Sequence, residues 1–112
     1  MVAGGQSRIV IVTCANAGEA RRIARAVVEK RLAACANILG GAVESIYRWK
    51  GRVETGREVM VVLKTTTKRL GELEREVKGL HSYEVPEFVV VPIVAGSAEY
   101  LEWVRETVSH AK

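Results

Sequence analysis

Aspartate does not occur in these 112 residues, so every one of the 13 acidic side chains is a glutamate. This argues against Asp-rich calcium loops and the common magnesium sites. It also removes the usual third member of a Ser-His-Asp arrangement, whose place only a Glu could take. Aromatic residues amount to 5% of the chain. The strands lack the paired aromatics on which an RRM-like sheet stacks bases, so nucleic acid is not an expected partner. No apolar run approaches the ~18 residues of a membrane-spanning helix, so no membrane association is expected. Residues 1–7 have neither the charged start nor the apolar core of a signal peptide and read as a flexible, frayed N-terminus. No GxGxxG or GxxxxGK loop is present, and Gly40-Gly41 alone is a weak phosphate signal. The two cysteines, Cys14 and Cys35, are expected to be free thiols in a cytoplasmic protein.

What is present is an ordinary globular composition, 48% hydrophobic and 27% charged. The length fits one domain, taken as residues 8–112, that hides roughly 65% of its unfolded surface. The net charge of +4 is uneven: residues 1–70 hold 13 Lys/Arg against 5 Glu, and residues 71–112 hold 4 against 8. The basic half reads as solvated faces that keep the protein in solution.

Arg8 to Thr13 is a β-branched run, hence a buried strand. Asn16 then caps a helix, with Glu19 placed to complete a capping box. Ala20, Ile23, Ala24, Val27 and Val28 form its apolar face. A second strand begins at Ala34-Cys35, is interrupted as by a bulge at Gly40-Gly41, and resumes to Trp49. Lys50-Gly51 supplies a tight hairpin turn. The return strand runs from Arg52 to Thr65 with a bend near Thr55-Gly56. Each arm is ~14 residues long against a usual ~5–6, so the tip projects and bares Tyr47 and Trp49 unless a partner covers them. A second helix presents Leu70, Leu73, Val77 and Leu80 and ends near Gly79; a last helix starts at Ser97 and presents Leu101, Val104 and Val108. The order β-α-β-β-α-β plus a terminal helix predicts an α+β, ferredoxin-like domain with helices on one face of an antiparallel sheet. Strands this rich in Val and Ile leave no polar second face, which predicts association.

The stretch from Leu80 to Ile93 joins His81, Tyr83, Glu84 and Glu87 to the apolar run Phe88–Val91. Pro86 biases Val85 toward extended geometry and makes the polar part a loop. The apolar part reads as a strand buried on both faces. Two readings stand. The polar groups form a binding site at the mouth of that strand, or His81 caps the preceding helix while Tyr83 buries its ring. Cys35, set among alanines, has the same two sides: a small buried hydrophobe or a metal ligand. His81 with Glu84 or Glu87 could move protons, but no nucleophile neighbours them in sequence, and the chain is not expected to be an enzyme.

Leu32-Ala33-Ala34-Cys35-Ala36-Asn37-Ile38, Tyr47-Arg48-Trp49-Lys50-Gly51, Glu58, Leu63-Lys64-Thr65 and Leu80-His81-Ser82-Tyr83-Glu84-Val85-Pro86-Glu87 together resemble the signatures of the CutA family of divalent-cation tolerance proteins. The resemblance covers about residues 8–108. It implies a homotrimer similar in plan to the PII signalling proteins, with the long hairpin wrapped onto neighbouring subunits. It implies a non-enzymatic part in tolerance of copper and other divalent ions, no organic cofactor, and an unidentified protein partner. The expected metal ligands are His81 and Cys35. By analogy to PII, Trp49, Lys64, Tyr83, Glu84 and Glu87 would line a pocket between subunits, and a small-molecule sensor is the alternative function. The sequence departs from the pattern at Ser82, where Pro is usual, and at Leu80, where some members carry a second His. Cys14 lies two positions past Val12, where some members have a metal-associated cysteine.

Overall fold

Val10, Val12 and Cys14 alternate along β2 (Ser7–Cys14), and all three are fully buried on one face of the strand. The structure, a computed structural model, describes residues 1–109. In it β2 lies inside a four-stranded sheet ordered β3-β4-β2-β5, where β3 is Cys35–Trp49, β4 is Arg52–Thr66 and β5 is Val89–Pro92. All neighbouring strands are antiparallel. α1 (Ala17–Glu29) joins β2 to β3, α2 (Leu70–Leu80) joins β4 to β5, and each crossover steps over one strand. This is the expected ferredoxin-like arrangement, followed by α3 (Ala98–Ser109).

Both crossover helices close the same face of the sheet. Ile23, Val27, Leu73 and Val77 are fully buried in one cluster with Val10, Val12, Val61 and Leu63. From α3, Val104 and Val108 join Ala34 in a smaller cluster. The Ser97 hydroxyl accepts from the Tyr100 N–H at 3.3 Å, so α3 is capped as expected.

The central hairpin has 15 residues in each arm. Lys50 and Gly51 turn it with φ values of 52° and 79°, the mirror-image turn that matches strand twist. The register shifts between Leu39 and Val43, with Gly41 at φ 85°, so the Gly-Gly step is the expected bulge. The return arm is not interrupted: Thr55 and Gly56 stay in register with Ile46 and Ser45. At the tip Ile46 and Val53 are 69% and 61% exposed.

Two further expectations need correction. β5 is an edge strand rather than a strand buried on both faces, and Val89, Val90 and Val91 are exposed. An apolar run fits an interior strand and an uncovered apolar edge equally well, because side-chain pattern does not register the number of neighbours. The stretch 1–7 is also drawn into the fold. β1 (Val2–Ala3) pairs antiparallel with β6 (Ala95–Gly96), and the buried Gly4 donates its N–H to the Val94 carbonyl at 2.8 Å. The Ile93 carbonyl oxygen would lie 1.5 Å from a Cβ at position 4, so only glycine fits there.

Candidate functional site

Residues from three elements meet where β2 ends. Asn16 caps α1 through its Oδ1, which accepts from the Glu19 N–H at 2.8 Å. Glu19 itself turns back and is 3% exposed. Its Oε1 accepts from the Ala15 N–H at 2.9 Å, one residue short of a standard capping box. Its Oε2 accepts from the Ser82 N–H at 2.7 Å, on the loop that follows α2. His81 begins that loop with a fully buried side chain. Its Nε2 lies 2.7 Å from the Thr13 carbonyl oxygen. A carbonyl can only accept, so Nε2 carries the proton. Its Nδ1 accepts from the Tyr83 N–H at 3.1 Å, which makes the ring the neutral tautomer.

The Cys14 Sγ, a Glu19 oxygen and a His81 nitrogen all lie within 4.8 Å of one another. Residue types and spacing are those of a metal centre, but His81 has no free lone pair in this arrangement. Both His81 nitrogens and both Glu19 oxygens hold the hydrogen bonds just described. Burial, reinforced by the charges of Glu19 and Glu58, pushes the Cys14 thiol up to about 11, so it stays protonated at neutral pH. Burial also pushes the Glu19 carboxyl upward, but the bonds from Ala15 and Ser82, with His81 nearby, hold it below its ordinary value. With His81 engaged in this way, the trio ties β2, α1 and the 81–88 loop together rather than presenting an open set of ligands.

Beyond this knot the loop and the outer part of the hairpin border an open cavity of about 530 Å³. Tyr83, Glu84, Val85 and Glu87 line it from the loop, Tyr47 and Trp49 from β3, and Glu58 from β4. Glu58 is its most tightly held acid. One oxygen accepts from the Ser45 hydroxyl at 2.5 Å, the other from the Tyr83 hydroxyl at 2.8 Å. Burial and then Glu58 push the Tyr83 phenol far above its usual range, so it remains a donor to that carboxylate. The Thr13 hydroxyl donates to Glu87 at 3.5 Å.

Of the residues expected to share a pocket, Trp49, Tyr83, Glu84 and Glu87 line this cavity and Lys64 does not. Lys64 hydrogen-bonds the Asn37 amide oxygen on the adjacent strand. Cys35 stands there too: its Sγ is 3.7 Å from Asn37 Oδ1, and its thiol is among the causes that raise the Tyr100 phenol, after burial. The structure therefore gathers His81 with Cys14 and Glu19, and it leaves Cys35 with Asn37, Lys64 and Tyr100. Sequence reasoning missed Glu19 and Glu58 as site residues. The Asn16–Glu19 spacing announced a cap, but nothing local tells that the second oxygen reaches residue 82. Glu58 carried no signal beyond its position in a matching motif.

Known proteins were compared with this fold and site. The family model described as CutA1 divalent ion tolerance protein matches residues 8–107. The chain belongs to the CutA1 family. The divalent-cation tolerance protein CutA of Thermus thermophilus is 49% identical over 98 residues, which span 88% of this chain and 94% of that one. Protein CutA of Homo sapiens is 44% identical over 91% of this chain, which spans only 56% of that longer protein. The solved Thermus thermophilus structure superposes with a TM-score of 0.88 over 90% of this chain and 97% of that one. No helix among the described residues of this CutA1-family chain is long and apolar enough to cross a membrane.

Proposed function

We propose that this protein is a non-catalytic homotrimer that takes part in tolerance of divalent cations, copper among them, as a single cytoplasmic domain. The observation that carries the reading is the match to the divalent ion tolerance family across residues 8–107. The trimer is supported by apolar surface that a lone subunit leaves bare: Ile46, Tyr47, Trp49 and Val53 at the hairpin tip, and the edge strand Val89–Val91. A PII-like plan, with the hairpin laid on a neighbour, covers that surface. Free Cys14 and Cys35 agree with a reducing compartment. His81 and Cys35 are the copper ligands of this reading, and His81 must release the Tyr83 N–H before its Nδ1 can bind an ion.

Calorimetric titration of copper(II) into the protein, into His81→Gln and into Cys35→Ser tests it, with subunit mass followed by light scattering. A saturable, near-stoichiometric site lost in the variants supports copper binding at these residues. Weak and equal binding in all three proteins rejects it. A monomeric mass rejects the trimer.

A second reading, a small-molecule sensor, is favoured by the cavity itself. Its volume of about 530 Å³ falls in the range of ligand pockets, and its lining mixes aromatic faces with carboxylates.

A further inference from the structure

The guest that suits the cavity follows from what its walls offer. Glu58, Glu84 and Glu87 face it, and no lysine or arginine lines it, although the chain as a whole is basic at +4. Its hydroxyl hydrogens are largely spent: Ser45 and Tyr83 donate to Glu58, and Thr13 donates to Glu87. What remains for a guest is acceptor lone pairs, negative charge, the faces of Tyr47, Trp49 and Tyr83, and two donors, the Tyr47 hydroxyl and the Trp49 indole N–H. Aromatic faces carry negative quadrupole charge, so they add to the same preference. An anion such as a nucleotide phosphate would face three carboxylates here, with no lysine or arginine in the wall.

A bare metal ion is also a poor match. Among the described residues the one trio of metal-capable groups within 4.8 Å is Cys14, Glu19 and His81, so the three cavity glutamates do not converge on a point. Spaced carboxylates and aromatic walls suit instead an extended cation with an apolar body. The chain supplies its own example at the rim: the Lys50 ammonium sits 5.7 Å from the centre of the Trp49 ring.

We infer that the cavity between the hairpin and the 83–87 loop binds an organic alkylammonium ion, its charged groups held by Glu58, Glu84 and Glu87 and its carbon chain against Tyr47 and Trp49. This rests on reading the cavity as a ligand site. The probe is 1,6-diaminohexane, doubly charged at neutral pH, beside the neutral 1,6-hexanediol of similar length. Binding is followed by NMR at the Trp49 indole N–H and the Tyr83 amide, with light scattering to record the assembly. The expected result is saturable shifts with the diamine, none with the diol, and affinity reduced roughly tenfold or more in Glu84→Gln/Glu87→Gln. Both glutamates are exposed, so the double variant folds; Glu58→Gln, which keeps the side-chain shape, is the second variant. If diamine and diol bind alike, or the Gln variants bind the diamine undiminished, the cation assignment is overturned and the ligand site stands. If neither binds, both are overturned.

Discussion

The Glu19 carboxylate accepts the Ser82 N–H at 2.7 Å across 63 positions of sequence. One residue thus closes the first turn of α1 and anchors the loop that walls the cavity. With 3% exposure, that charge is held by hydrogen bonds rather than by water. The site is therefore built on the helix cap.

Glu19 makes stability depend on acid. Its folded carboxyl titrates below the ordinary 4.5 because hydrogen bonds outweigh burial. A carboxyl with a depressed folded pKa contributes fully above its unfolded value and loses that contribution as pH falls through the folded one. Urea denaturation is expected to show wild type more stable than Glu19→Gln by about 1–3 kcal/mol at pH 7. The gap narrows steadily below about pH 4.5. A gap independent of pH would rule out this linkage.

His81→Ala should destabilise the fold by about 2–4 kcal/mol, since it empties a fully buried site and leaves the Thr13 carbonyl and Tyr83 N–H without partners. This reverses what an exposed ligand would do, for which truncation changes little. Thermal melting of the metal-free protein distinguishes the two.

These two residues also mark how far the sequence could be read. The Asn16–Glu19 spacing disclosed the cap because a helix N-terminus is a local object, settled within four residues. The sequence leaves His81 between ligand and cap, and its actual acceptor, Thr13, is 68 positions away. No local pattern encodes a pairing of that span.

Cys14 is expected to resist alkylation. Its thiol is fully buried and raised to about 11, so little thiolate exists at pH 8. Timed iodoacetamide labelling read by mass spectrometry should modify the partly exposed Cys35 first. Prompt modification of Cys14 in the folded protein would contradict the burial.

Gly4→Ala should detach the N-terminal strand, because the new Cβ meets the Ile93 carbonyl oxygen at 1.5 Å. The expected loss is about 1–3 kcal/mol, confined to one edge of the fold. Hydrogen exchange should show the Gly4 amide, now bonded to Val94, losing protection while the Val10 and Val61 amides keep theirs.

Trp49→Ala should shift the proposed trimer toward smaller species, since the ring is 38% exposed on the bare arm of a single subunit. Light scattering across a dilution series measures this. An unchanged assembly would place the hairpin tip away from the subunit contact.

The sequence alone determined the order of the four main strands and three helices, the caps of α1 and α3, the bulge at Gly40-Gly41 and the turn at Lys50-Gly51. Each rests on dihedral preferences or side-chain periods that act within a few residues. Tertiary structure decided the rest. It made the apolar run Val89–Val91 an edge, brought Val2–Ala3 against Ala95–Gly96, and set Cys14 beside His81 while keeping Cys35 apart. It also turned three glutamates, scattered from 58 to 87, onto one cavity. Those outcomes depend on which strands become neighbours and on where a crossover sets a loop down, and such distances are fixed only when the sheet and helices pack.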